Sequence, residues 1–399
     1  MKRPSVGLVL SGGGARGAYE VGVLRYIREK LGFNATFDVI TGTSVGAING
    51  AYVAATCDRP KGQGRLLQKV WLELNIDDVY SFGWQQFRQL PRVLFGRDLP
   101  RVPHGSRVGG LIDTSFLERV VRSKIPWGGI TRNLRAGHLD ALACTATEVA
   151  TGASTIFVQT RTGQAHWPRT RDENVVQTSI TAAHTLASAA IPVLFPSIRV
   201  GEQFFVDGSL RQNTPLRPAM RLGADRLLVV GLRHAHSHEK LQRRLRRQAQ
   251  FTYPNAMFLL GKMLNALMID RVEADIERIE RMNRLLEAGT DAFGDGFGQR
   301  ISTGLGRARD YKTISHVMIR PSQDLGKIAA EVVRKTRLAR ASGVMARFIR
   351  RAVEAEDPEA ESDLASYVLF DSEYLKALID LGFSDAERQK DEIAAIFDR

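Results

Sequence analysis

A serine stands between two glycines in Gly42-Thr43-Ser44-Val45-Gly46, where a short apolar run gives way to a stretch of small residues. G-x-S-x-G on strand, turn and helix is the pattern of a nucleophile elbow: small neighbours let the backbone turn sharply, and the hydroxyl projects from the end of a sheet. The following helix would aim its N-terminal amides at developing negative charge. A second glycine cluster, Gly12-Gly13-Gly14-Ala15-Arg16-Gly17, follows another apolar run. Gly12, Gly14 and Gly17 fit G-x-G-x-x-G, the dinucleotide fingerprint, which requires an acidic residue at the far end of the second strand. Asp38 stands at the beginning of that strand and Ser44 at its end, so the ribose-binding place has no occupant. The loop reads better as a nest of backbone N–H groups, an oxyanion hole built from Gly13 and Gly14. Arg16 would steady this loop or meet a substrate phosphate.

A serine nucleophile needs a base, and histidine is the usual one. The chain has eight histidines, none in the setting of a triad member. His184 lies in the apolar stretch "TAAHTLASAAIPVLF", which suits a hydrogen-bonded core histidine, and His104, His138, His166 and His316 have no motif around them. His234, His236 and His238 alternate but lack further ligands at metal spacing, so neither a metal nor an organic cofactor is expected. Asp207 in "FFVDGSLRQNTP" offers a different base, placed after an apolar strand and before Gly208. A free aspartate, with a pKa of about 3.9, is a poor base, so Asp207 would have to be desolvated and in direct contact with the hydroxyl. The other reading of Asp207-Gly208 is an Asp-Gly turn without catalysis.

The elements that must position these groups follow from periodicity. Val6 to Leu10 reads as a strand, followed by the glycine loop and a helix through Val21, Leu24, Ile27, Arg28 and Leu31. Phe37 to Ile40 reads as a second strand, "TGTSVG" as a turn and Ala47 to Ala55 as a helix, so the chain begins as parallel α/β. Further strands are expected at Ala141 to Ala146, Ser154 to Gln159, Phe204 to Val206, Arg226 to Gly231 and His316 to Ile319. A long helix is expected over 255–287, ended by Gly289, and helices follow beyond residue 322 after an acidic linker at Glu354 to Asp363.

With 44% hydrophobic and 25% charged residues, the composition is that of a soluble globular protein, and its net charge of +13 favours an anionic partner such as a phospholipid surface. No zinc-finger spacing or other nucleic-acid motif accompanies that charge, so nucleic acid is not the expected partner. Cys57 and Cys144 lie in apolar stretches and suit buried free thiols in a reducing compartment. The N-terminal apolar run is interrupted too early for a signal peptide, and the uncharged stretch 39–57 is too rich in glycine and threonine to span a bilayer. A cytoplasmic protein is therefore expected, peripheral on the inner face of the membrane. The segment 77–110, with five aromatics and five arginines after Asp78, reads equally as a lid or membrane-facing insertion and as a helical insertion packed on the core.

Taken together, "LSGGGARGAYEVGVL", "DVITGTSVGAINGA", "ASAAIPVLFPSIRVGEQFFVDGSL" and "LGADRLLVVGL" resemble the patatin-like phospholipases over roughly residues 5 to 232. "DRVEADIERIERMNRLL", "HVMIRPS" and "LASYVLFDSEYLKALIDLG" are similar to larger bacterial members. The resemblance implies a three-layer α/β sandwich over 1–322, with a mainly parallel central sheet flanked by helices, and a helical C-terminal extension over 323–399. It makes Ser44 the nucleophile, Asp207 its partner and general base, and Gly12, Gly13, Gly14 and Arg16 the oxyanion-hole loop. Gly42 and Gly46 frame the elbow, and Gly208 completes the base motif, where Ser209 replaces the usual Ala or Gly. The implied activity is that of a phospholipase A or lysophospholipase acting at membranes on acyl esters. A non-catalytic lipid-binding protein on the same fold and a nucleotide-binding oxidoreductase are the alternatives.

Overall fold

The computed structural model describes residues 3–74, 107–108, 110, 113–165, 167, 172–192, 194–234, 272–305, 310–335 and 363–398. In chain order the strands are β1 (Val6–Leu10), β2 (Val39–Thr43), β3 (Arg107–Val108), β4 (Ala141–Glu148), β5 (Ser154–Thr160), β6 (Glu173–Gln177), β7 (Ser197–Val200), β8 (Gln203–Asp207), β9 (Arg226–Val230) and β10 (Ser315–Ile319). They form one sheet in the order β10-β9-β1-β2-β4-β8-β7-β3, with β5 beside β4 and β6 beside β5. The run from β10 to β4 is parallel, while β8, β7, β3 and β5 join antiparallel.

Alternation along the strands divides the sheet's side chains between two apolar layers. Leu8, Leu10, Leu228 and Val230 enter one cluster, and Val9, Leu227 and Val229 enter the other. Helices cover both faces: α1 (Ala18–Tyr26), α2 (Val45–Ala55), α3 (Gln63–Leu72), α4 (Ser115–Lys124), α5 (Gly128–Ala136), α6 (Ala182–Ser188), α7 (Leu216–Leu222), α8 (Val272–Phe293), α9 (Phe297–Gly304), α10 (Leu325–Lys335), α11 (Asp363–Val368), α12 (Ser372–Arg388) and α13 (Lys390–Phe397). The result is a three-layer α/β sandwich with a mostly parallel centre.

Strand β4 is the hinge of the topology. Its first half pairs with β2, bringing Thr43 opposite Thr145, and its second half pairs with β8, bringing Ala146 opposite Asp207. Two segments more than 160 positions apart, ending in Ser44 and beginning after Asp207, thereby meet at one end of the sheet.

The helical tail is packed into the core. Tyr374, Leu375, Leu378 and Ile379 of α12 are fully buried in the same cluster as β1 and α2, each contributing a gross burial term of about 1.5 to 3 kcal/mol. Gly22 of α1 and Gly382 of α12 lie at their crossing, where a Cβ on either would press into a carbonyl of the other helix, Ile379 or Tyr19. The Tyr19 hydroxyl donates to Asp385 across this contact at 3.0 Å. Asp371 caps α12 by accepting from the N–H groups of Glu373 and Tyr374.

Three sequence expectations are corrected here. The second strand runs Val39–Thr43, not Phe37 to Ile40, because Gly42 and Thr43 still pair with Cys144 and Thr145. Gly289 does not end the long helix: α8 continues to Phe293, and the missing side chain makes room for the Phe297 ring. Strands β3, β6 and β7 were not expected, being short or, in β6, half-exposed and polar. Of the helix expected over 255–287, residues 255–271 lie outside the described residues, as does nearly all of 77–110.

Candidate active site

Ser44 has φ 54° and ψ −126°, and among the described residues it alone holds a positive φ without being glycine. Such a backbone costs about 1–3 kcal/mol and persists only when its surroundings enforce it. Here they do. The Ser44 N–H donates to Ser188 Oγ at 2.8 Å, and that hydroxyl donates to the Thr145 carbonyl of β4 at 2.5 Å. Any side chain on Gly42 would strike the Gly46 carbonyl, and any on Gly46 would lie 2.5 Å from the Leu10 carbonyl, so both glycines are required by close approach. The Ser44 carbonyl accepts from Ala47 and Ile48 to start α2.

The Ser44 hydroxyl donates to Asp207 Oδ2 at 2.6 Å, with both residues almost fully buried. The other carboxylate oxygen accepts from the Ser209 N–H at 2.8 Å. Backbone bonds fix the aspartate: its N–H donates to the Ala190 carbonyl at 2.8 Å, and its carbonyl accepts from Thr147 Oγ1 at 3.0 Å. Gly208 lies against the Thr145 carbonyl, which leaves no room for a Cβ. Burial raises the Asp207 pKa to about 6, against the opposing pull of the bonds from Ser44 and Ser209. Asp207 is therefore ionised at neutral pH and a stronger base than a solvated carboxylate.

The histidines described here lie elsewhere. His184 is buried, joins Thr181 in a capping box and meets the Phe157 ring edge-on at 4.7 Å between centroids, as a core histidine should. His234 Nδ1 pairs with the Pro321 carbonyl at 2.8 Å, and His316 lies 3.8 Å from Glu280. His104, His166, His236 and His238 lie outside the described residues. No group of three metal-ligating side chains occurs among the described residues.

The glycine loop follows β1 as the 3₁₀ turn Gly14–Gly17. Gly14 has φ 56° and packs its Cα against the Tyr367 carbonyl, a place closed to other residues on both counts. Two members of the loop have donors engaged within the protein. The Gly12 N–H donates to the Asn213 carbonyl at 3.1 Å, so it is already committed. Arg16 is buried and turned toward α11, where Nε and Nη2 donate to Ser366 Oγ at 2.8 and 2.6 Å and Nη1 donates to the Tyr367 hydroxyl at 3.2 Å. The N–H groups of Gly13 and Gly14 donate to no acceptor among the described residues. Gly14 and Ser44 line the same cavity.

That cavity is walled by Val45, Ile48, Tyr52, Trp71, Val121 and Phe370, among others. Among the described residues its one charged lining residue is Lys124, held 2.7 Å from Glu73. A hydrocarbon chain suits such walls, whereas a charged group would be stripped of water there without a partner.

Several residues that shape the site were not singled out from the sequence. Ser188 and Thr145 hold the strained elbow, and Ser188 lies only four residues after His184 in "TAAHTLASAAIPVLF". Asn49 donates to Glu20 at 2.8 Å and accepts from the Trp71 indole at 3.0 Å, tying α1, α2 and α3 together behind the cavity. Burial raises the pKa of the Glu20 carboxyl well above its ordinary value, against the opposing pull of the bond from Asn49.

The family model described as patatin-like phospholipase matches residues 8–220, more than half of the chain. A lysophospholipase of Aspergillus terreus is 49% identical over 61 residues, covering 15% of this chain and 4% of that protein. The mouse patatin-like phospholipase domain-containing protein 7 is 44% identical over 69 residues, covering 17% of this chain and 5% of that protein. The chain thus aligns with only a small part of these much longer relatives. Among solved structures, human GIVD cytosolic phospholipase A2 aligns with 100% of this chain and 60% of its own at 11% identity and a TM-score of 0.43. VipD from Legionella pneumophila aligns with 95% of this chain and 67% of its own at 15% identity and a TM-score of 0.36.

Proposed function

The chain belongs to the patatin-like phospholipase family, and on that premise we propose that it is a lipid acyl hydrolase of phospholipase A or lysophospholipase type, working through a Ser44–Asp207 dyad. The observation that carries this reading is the 2.6 Å contact between Ser44 Oγ and a buried carboxylate beside an apolar cavity. Asp207 takes the Ser44 proton as Oγ attacks the ester carbonyl carbon. The oxyanion is met by the uncommitted amides of Gly13 and Gly14, which in a site withdrawn from water stabilise it more than solvent would. Collapse expels the alcohol, which takes the proton from Asp207 and leaves the acyl group on Ser44. Water then gives a proton to Asp207 as its oxygen attacks the acyl carbon, and the fatty acid leaves as Ser44 recovers its proton.

The cavity accommodates the acyl chain, and the surplus of positive charge supports peripheral work at an anionic membrane. No described helix is long and apolar enough to cross a membrane. The test is fatty-acid release from mixed phospholipid vesicles by the wild type, Ser44→Ala and Asp207→Asn, with circular dichroism to verify folding. Release by the wild type alone supports the dyad. Vesicle binding by all three without any release, on phospholipids, lysophospholipids and simple esters alike, would favour a lipid-binding protein instead.

A further inference from the structure

The tail of the chain reaches the reaction centre at one place, residues 366–370. Ser366 stands 350 positions from Arg16, yet its hydroxyl accepts two bonds from that guanidinium. The Tyr367 hydroxyl accepts a third, and its ring lies under the guanidinium carbon at 4.0 Å. The Tyr367 carbonyl packs on Gly14, the residue that presents one of the uncommitted amides. Phe370 stacks on Trp71 at 6.1 Å between centroids and lines the cavity with Gly14. The segment is itself fixed: the Tyr374 hydroxyl lies 3.3 Å from the carbonyls of both Ser366 and Leu325, and Ser366 is fully buried.

We infer that Ser366 and Tyr367 are positioning residues for the oxyanion loop, acting through Arg16. This rests on the hydrolase reading above and adds to it a part of the chain beyond residues 8–220, which the family model matches. The physical case is that a nest of amides works only if its donors point where charge develops, and glycines supply no side chains to hold them there. Gly13 and Gly14 have conformational freedom in plenty. Arg16, two positions on, is the first long side chain of the loop, and its planar fork of donors fixes orientation as well as position. Anchoring that fork on a buried hydroxyl, an aromatic face and a phenol, while a carbonyl presses on Gly14, fastens the loop from outside its own neighbourhood. Arg16 thus serves the reaction without touching substrate.

Misplacement of catalytic groups by about 1 Å can cost on the order of 100-fold in rate. Ser366→Ala, which frees two donors of a buried cation, should lower kcat by about 10- to 100-fold with KM within about two-fold of wild type, the pattern of an interaction realised in the transition state. Tyr367→Phe keeps the ring and loses only the hydroxyl, for a fall of about 3- to 10-fold in kcat. Ser366→Thr retains the hydroxyl and should recover most of the activity. Each is assayed well below its melting temperature on a p-nitrophenyl ester of a medium-chain fatty acid, alongside Ki for an alkyl trifluoromethyl ketone, which a serine hydrolase converts to a bound tetrahedral oxyanion. A rise in Ki that matches the fall in kcat across the series supports the inference, since loss of stability alone would not weaken the ketone in step with turnover. Wild-type kcat and Ki in Ser366→Ala, or a fall in kcat with Ki unchanged, overturns it. Should Ser366→Ala fail to fold, Tyr367→Phe decides by the same criterion. If the wild type neither hydrolyses esters nor binds the ketone, the hydrolase reading falls and this inference with it; an active wild type whose variants match it removes this inference alone.

Discussion

Two strand-turn-helix units stand side by side in this molecule, β1 with the glycine loop and α1, and β2 with the Ser44 elbow and α2. They look alike and are restrained differently. The elbow holds one strained residue, and its nearest restraints are backbone contacts of its own two glycines together with one serine hydroxyl on α6. The glycine loop has two glycines in succession whose amides meet no acceptor among the described residues, and its longest side chain is fastened to the far end of the chain. A reactive group can be set by tight local packing, or a flexible loop can be set by a remote fastening, and this site uses both.

The comparison breaks most severely at the elbow. Ser44→Ala and Asp207→Asn are expected to reduce turnover by about 10⁴-fold or more, measured as initial rates on a p-nitrophenyl ester, because members of a catalytic unit fail together. On the loop side, Gly14→Ala combines a positive φ with a clash against the Tyr367 carbonyl. It should lower kcat by about 100- to 1,000-fold, the scale of losing an oxyanion donor. Activity comparable to wild type in Gly14→Ala would mean that the loop is not where the oxyanion forms.

A third expectation concerns pH. Asp207 is raised from 3.8 to about 6 in the fold. The wild type should therefore lose kcat/KM as pH falls below about 6, where the base is protonated. Stability runs the other way. A raised pKa means that the folded state holds the proton more tightly than the unfolded chain. The contribution is full below about pH 4 and lost as pH rises through about 6. By pH 8 the ionised carboxylate should cost on the order of 3 kcal/mol, which Asp207→Asn would recover as a higher melting temperature. Equal melting temperatures for the two proteins at pH 8 would show that the carboxylate is not desolvated as described.

The smallest effects belong to the shared cavity, where Ile48 from the elbow's helix and Phe370 from the loop's fastening both contribute to the wall. Ile48→Val and Phe370→Leu should shift the ratio of kcat/KM between long and short acyl esters by about 3- to 10-fold, the scale of a methylene or two in an apolar pocket.

The same contrast governs what the sequence made legible. Ser44, Gly42, Gly46, Asp207 and Gly208 could be read because each carries its constraint in adjacent residues: an apolar strand, a small-residue turn, a strand-ending aspartate. The parallel α/β order followed for the same reason, as periodicity is a local signal. Ser188 could not be read as the holder of the Ser44 amide, because a serine in an alanine-rich helix looks the same whether or not its hydroxyl is engaged. Gly12 and Arg16 are more instructive: of the two readings the sequence offers for Arg16, its bonds to Ser366 and Tyr367 favour steadying the loop. Both are in the right loop, but Asn213 and Ser366, far along the chain, decide where their donors point. The end of β2 was misplaced by three residues because glycine and threonine read as a turn, while pairing with β4 keeps them extended.

Strand β4 has one more consequence, in time rather than in space. Ser44 follows β2 and Asp207 ends β8, and both take their places beside β4, which is made after the first and before the second. A growing chain that has emerged only as far as β7 contains Ser44 without Asp207. Pairing of β8 with β4 closes a loop of about sixty residues, a slow step by comparison with helix formation. On the proposed dyad, esterase competence follows only after that late pairing, and a refolding protein should regain its helical signal before it regains turnover.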